Sequence, residues 1–225
     1  MSSPAGILFD AYGTLFDVHS VAALAESLHP GSGAALTTLW REKQLDYSRL
    51  RSMSGRYVDF DVITADALDH ALEKLRLAPS PAGRQRLLDQ YAVLAPHPEV
   101  VPVLERLRQT GRRLAILSNG NSAMLARVVG AAGMTGLFEH ILGADRVRRF
   151  KTAPEVYALG TAAFDCPAES LVFVSANCWD ACGAAAFGFR SLWVNRAGDP
   201  VDRLGIPPTA QGRSMLDLPA FLGLP

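Results

Sequence analysis

The feature that most constrains the fold is a set of short runs that are apolar at every position. They recur at 7–9, 114–117, 141–142, 171–174 and 192–194. A strand with one solvated face alternates apolar and polar residues, so runs without alternation belong to strands covered on both sides. Helix-length amphipathic stretches at 100–109 and 122–132 separate them. Strand alternating with helix predicts right-handed βαβ units and a parallel α/β sheet.

Between residues 17 and 96 this texture stops. Apolar residues recur there at three- and four-residue spacing, which predicts helices over 19–28, 33–53, 58–75 and 81–94. His29-Pro30-Gly31, Ser54-Gly55 and Pro79-Ser80-Pro81 break them. The expected organisation is an α/β core over 1–16 and 97–225 with a helical cap over 17–96. An insertion after the first strand sits over the carboxyl ends of the strands, where open α/β sheets bind ligands. The tail from Ala197 onward reads as loop.

Composition narrows the function. Lys+Arg and Asp+Glu are 22 each, so no overall charge draws the chain to nucleic acid or an anionic membrane, and a small-molecule partner is expected. The N-terminus lacks the basic and apolar regions of a signal peptide, and no apolar run approaches spanning length, which predicts a cytoplasmic protein without a membrane partner. Cys166, Cys178 and Cys182 match neither a disulfide framework nor a zinc spacing and read as small apolar fillers. The five scattered histidines hold no ligand pair, so no structural metal is expected.

Four segments carry potential chemistry, each at the carboxyl end of an expected strand or beside one. Asp10 is followed by Ala11-Tyr12-Gly13-Thr14-Leu15, a carboxylate at a sharp glycine turn. It reads equally as an Asx turn. Ser118-Asn119 ends the run beginning at Leu114 and reads either as a hydrogen-bonding pair beside Asp10 or as a helix N-cap. Lys151 stands among apolar and small residues, as a fixed cation or a solvated loop lysine. Ser175-x-Asn177-x-x-Asp180 follows the run 171–174 and precedes a small-residue helix expected over 181–186. Joint occurrence at one end of one sheet favours a catalytic centre.

This ordered set resembles the haloacid dehalogenase superfamily, and specifically its L-2-haloacid dehalogenase branch. The likeness runs through Phe9-Asp10-Ala11-Tyr12-Gly13-Thr14-Leu15-Phe16-Asp17, Ser118-Asn119-Gly120, Lys151 and the Ser175–Asp180 segment. In the cap, Trp40-Arg41 with Lys43-Gln44-Leu45 and Tyr47-Ser48 resembles the segment bearing the family's halide-contacting arginine. The resemblance implies a Rossmann-like three-layer core, a four-helix-type cap, frequent homodimers and no cofactor. It implies hydrolysis of short L-2-haloalkanoic acids to D-2-hydroxy acids. Asp10 would be the nucleophile, with Thr14 and Tyr157 in the catalytic set and Arg41 receiving the departing halide. Lys151, Ser118, Asn119 and the backbone at Ala11 and Tyr12 would bind the substrate, while Ser175, Asn177 and Asp180 orient water onto the ester. Tyr12, Leu45, Phe60 and Trp179 are candidates for an apolar wall, with core packing the alternative for Phe60, and Tyr157 either supports the lysine or packs.

Two positions depart from the family pattern. Glu42 stands where Gln is common and would add negative charge near the halide; Thr152 stands where Pro usually follows the lysine and would loosen Lys151. Three other readings compete. A phosphatase of the superfamily would want a second acid where Tyr12 stands. Opening of a strained ring would use the same Asp10 attack, and a catalytically silent binding module would be expected to have lost Asp10 or Lys151.

Overall fold

A computed structural model describes residues 3–224. The chain opens with β1 (Gly6–Phe9), then runs through the helices α1 (Ala22–Leu28), α2 (Gly33–Met53), α3 (Phe60–Lys74) and α4 (Pro81–Tyr91). After α5 (Val100–Gln109) strands and helices alternate: β2 (Leu114–Ser118), α6 (Ser122–Ala131), β3 (His140–Gly143), α7 (Pro154–Phe164), β4 (Leu171–Ser175), α8 (Cys178–Phe187) and β5 (Arg190–Val194). The chain closes with β6 (Ala210–Gly212) and α9 (Leu218–Phe221).

The strands form one parallel sheet in the order β3-β2-β1-β4-β5-β6. Every residue of β1, β2 and β4 is buried, as two-sided apolar runs require. This is the Rossmann-type order expected, with its reversal between β1 and β4, where the carboxyl ends of neighbouring strands open a crevice. Ile7 pairs with Leu114 on one side and Val172 on the other, so the residues after β1, β2 and β4 emerge side by side.

The helical insertion leaves and re-enters through a two-stranded stem. Phe16 bridges Pro96, the Asp17 N–H donates to Ala95 O at 2.8 Å, and the His97 N–H donates to Leu15 O at 3.0 Å. Within the insertion α2 packs along α3, pinned by the Trp40 indole donating to Thr64 O at 2.8 Å. Three details depart from the sequence reading. The first helix begins with a 3-10 turn over Val18–Val21, set by the Asp17 side chain accepting the His19 N–H. The tail read as loop contains β6, whose Ala210-Gln211-Gly212 has no apolar run because an edge strand is buried on little of its surface. The helix expected over 181–186 starts at Cys178, so Asp180 lies in its first turn. No described helix is long and apolar enough to cross a membrane.

Candidate active site

Asp10 leaves β1 at the reversal of strand order, tied to β4 by its N–H to Val174 O at 2.9 Å. The chain then turns back sharply. The Ala11 carbonyl accepts the N–H groups of Thr14, Leu15 and Phe16, and Gly13 takes φ +90°, a conformation that disfavours a side chain. This turn brings the Thr14 hydroxyl onto Asp10 Oδ2 as donor at 2.9 Å, while Thr14 Oγ1 itself accepts the Ala176 N–H at 2.8 Å. Thr14 thereby joins the ends of β1 and β4.

Lys151 is 2 % exposed, and its ammonium lies between two carboxylates, 3.1 Å from Asp10 Oδ1 and 2.8 Å from Asp180 Oδ2. Its backbone N–H donates to Asn119 Oδ1 at 2.8 Å. The loosening expected from Thr152 is therefore opposed by contacts at both ends of the lysine. Asp180 is wholly buried; Ser175 donates to its Oδ2 at 3.1 Å and the Tyr157 hydroxyl to its Oδ1 at 2.8 Å. Burial pushes the Asp180 carboxyl up to about 6, with Lys151 acting against the rise and Asp10 adding to it. Tyr157 both supports and packs. Its ring meets Phe173, Phe187 and Phe189, and burial beside Asp180 pushes its phenol well above the usual range, keeping it a neutral donor. Asn177 completes the base of the site, donating to Asp10 Oδ2 at 2.8 Å.

The insertion supplies the roof. Arg41 on α2 reaches down so that Nη2 donates to Tyr12 O at 3.1 Å. Leu45 and Phe60 join it from α2 and α3, facing Ser118, Asn119, Asn177 and Trp179 around Asp10 and Tyr12. These walls enclose a cavity of only about 10 Å³, roughly the minimum for one water. Tyr12 stacks on Tyr91 with ring centroids 5.5 Å apart and tilts against Phe60 at 5.9 Å. Its hydroxyl is buried with no hydrogen-bond partner among the described residues, and burial raises its pKa. Phe60 meets both readings, lining the cavity and packing on Phe150.

The structure thus gathers Asp10, Tyr12, Thr14, Arg41, Leu45, Phe60, Ser118, Asn119, Lys151, Tyr157, Ser175, Asn177, Trp179 and Asp180 into one connected region. Ser118-Asn119 is not the helix cap; Asn121 is, accepting the Met124 N–H. The Ala11 side chain lies in the core, and its backbone carbonyl serves the turn. One expectation needs correction. Glu42 is exposed on α2 and lies outside the cavity lining, because one residue's step turns it about 100° round the helix from Arg41. Cys178 and Cys182 are buried and free, while Cys166 is half-buried.

Sequence reading missed several residues. Gln44 and Tyr91 hold Arg41 from the cap. Arg196, after β5, donates to Gly13 O and Thr14 O at 3.2 and 3.1 Å and pairs with Glu99 at 2.8 Å, bracing the Asp10 turn from below. Only Gln44 left a trace, three residues after Arg41 on one helix face.

A buried carboxylate at the switch point of a parallel sheet, with a lysine on one oxygen, amide and hydroxyl donors on the other and a helical roof, defines an α/β hydrolase-type site built around a carboxylate. The haloacid dehalogenase-like hydrolase family profile matches residues 4–188, and the chain belongs to that family. It is 42% identical over 217 residues to the (S)-2-haloacid dehalogenase H-109 of Pseudomonas putida, covering 96% of this chain and 97% of that one. The crystal structure of the L-2-haloacid dehalogenase RSc1362 superimposes with a TM-score of 0.96 at 50% identity, covering 99% of this chain and 100% of that one. The L-2-haloacid dehalogenase of Xanthobacter autotrophicus, with chloropropionic acid covalently bound, matches with a TM-score of 0.92 at 33% identity over 98% of both chains.

Proposed function

We infer that this chain is an (S)-2-haloacid dehalogenase, hydrolysing short L-2-haloalkanoic acids to D-2-hydroxy acids through an ester on Asp10. The observation that carries the reading is the asymmetry of the Asp10 carboxylate. Oδ2 accepts from Thr14 and Asn177, whereas among the described residues Oδ1 faces Lys151 alone, at 3.1 Å. Oδ1 therefore keeps the freer lone pair and attacks C2 of the haloacid, expelling halide toward Arg41. The guanidinium stabilises charge that grows only as the carbon–halogen bond breaks. Lys151, Ser118 and Asn119 receive the substrate carboxylate.

In the second step water adds to Asp10 Cγ, and the charge that develops falls on Oδ2, already held by Thr14 and Asn177. Asp180 and Ser175 act behind Asp10, keeping Lys151 in place. C2 is displaced once, so its configuration inverts. As the roof lies, the cavity beside Asp10 has room for about one water. Lys151 supplies the positive charge against Asp10 that a phosphatase would take from a metal ion, which supports metal-independent turnover. The halves of the stem at 16/17 and 96/97 are proposed as the boundaries of the cap. A homodimer and a cytoplasmic location are proposed on the family resemblance and the sequence, to be tested by sedimentation velocity and cell fractionation.

The covalent scheme is tested by a single turnover in heavy-oxygen water. Label enters the Asp10 side chain first, and Asp10→Asn abolishes halide release. Label found directly in the product hydroxyl overturns the scheme.

A further inference from the structure

Arg41 reaches the Asp10 turn from the roof, donating to Tyr12 O, and its aim is set by residues with no assigned role. Its Nη1 donates to Gln44 Oε1 at 2.6 Å, and the Tyr91 hydroxyl donates to the same oxygen at 2.9 Å. Gln44 is wholly buried, and its Nε2 donates to Thr64 Oγ1 at 2.7 Å.

Hydrogen-bond bookkeeping decides which way the Gln44 amide points. Thr64 has one hydroxyl proton, and it is spent on Phe60 O at 2.7 Å, a carbonyl that can only accept. Thr64 Oγ1 can therefore only accept from Gln44, so the amide nitrogen faces α3 and the amide oxygen faces Arg41 and Tyr91. Reversed, the amide would set N–H groups against a guanidinium. The chain Phe60–Thr64–Gln44–Arg41 thus runs through α3 and α2 with each proton assigned, and Tyr91 ties it to α4. A neutral acceptor suits this position because it anchors the guanidinium without cancelling its charge.

We propose that Gln44, oriented by Thr64 and shared with Tyr91, is the positioning residue that holds the Arg41 guanidinium where the departing halide is received. The proposal rests on the halide role assigned to Arg41 above. Loss of a hydrogen bond to a charged group predicts a ten- to hundredfold slower ester-forming step for Gln44→Leu, on the order expected for such a bond. Thr64→Val and Tyr91→Phe, which leave Gln44 in place, should slow it less. Inhibition by free bromide should weaken in the same order, a readout that general loosening of the cap would not follow.

The deciding experiment is a double-mutant cycle on single-turnover ester formation from L-2-chloropropionate, read by mass of the quenched protein. Thermal unfolding of each variant serves as the folding control. Because Gln44 acts through Arg41, Gln44→Leu should cost nothing further in an Arg41→Ala background. An equal fold-loss in both backgrounds overturns the positioning role while leaving Arg41 as halide acceptor. Ester formation undiminished by Arg41→Ala alone overturns the halide reading itself, and this proposal with it. If Gln44→Leu does not fold, Thr64→Val and Tyr91→Phe carry the same cycle with the same two outcomes.

Discussion

Tyr157→Phe removes a single oxygen from the site and should change the pH dependence of the enzyme in a calculable direction. The hydroxyl donates to Asp180 Oδ1 at 2.8 Å where no solvent competes, and it favours the ionised carboxylate. A hydrogen bond to a charged group contributes about 1.5–3 kcal/mol, which is about one to two pKa units. Asp180 is already raised to about 6 by burial, against Lys151. The variant should therefore carry it higher still. Ionised Asp180 is the form that pairs with the Lys151 ammonium and fixes it beside Asp10, so activity falls as pH drops through the Asp180 pKa. The ionised fraction at neutral pH should therefore be lower in the variant than in the wild type. The assay is kcat/KM for halide release from L-2-chloropropionate across the acid limb. The limb should move about one to two units toward alkaline pH, with activity recovered above it. The ring keeps its contacts with Phe173, Phe187 and Phe189, so packing loss is small. A limb that stays put or moves to lower pH, or a rate loss equal at every pH, refutes the reasoning.

Other expectations follow from the same geometry. Halide release should survive exhaustive EDTA treatment, and p-nitrophenyl phosphate with magnesium should be turned over negligibly, because Lys151 already bridges Asp10 and Asp180 and Tyr12 offers no carboxylic acid to a leaving alkoxide. L-2-Chloropropionate should yield D-lactate, measured by chiral chromatography; retention of configuration would contradict a single displacement at C2. Arg196→Met strips the hydrogen bonds to Gly13 O and Thr14 O and leaves Glu99 without its partner, which should cost about 1–3 kcal/mol in denaturant unfolding and lower kcat through the Asp10 turn. Gly120→Ala would place its Cβ 2.8 Å from Tyr12 Cε2, a ring confined between Tyr91 and Phe60, and should destabilise by about 1–3 kcal/mol in the same measurement.

What the sequence alone determined is what repeats or stays local. The two-sided apolar runs specified the parallel sheet because a strand buried on both faces has no polar face to offer solvent. The helical periodicity of 17–96 specified the insertion, and Asp10, Ser118-Asn119, Lys151 and Ser175–Asp180 were legible as candidates because ligands of open α/β sheets bind at the carboxyl ends of strands. The tertiary structure decided whatever depends on packing between distant segments. Nothing in the sequence puts Arg196 under the Gly13 carbonyl or Tyr91 beside Gln44, 183 and 47 positions away. Nor does it show that Glu42 faces solvent, since neighbouring helix residues face different ways and only docking selects the inward face. β6 escaped notice because three residues at a sheet edge carry no hydrophobic pattern. The double salt link of Lys151 likewise came into being only when β1, the loop after β3 and α8 met, for a buried cation needs two partners that the chain keeps 141 and 29 residues apart.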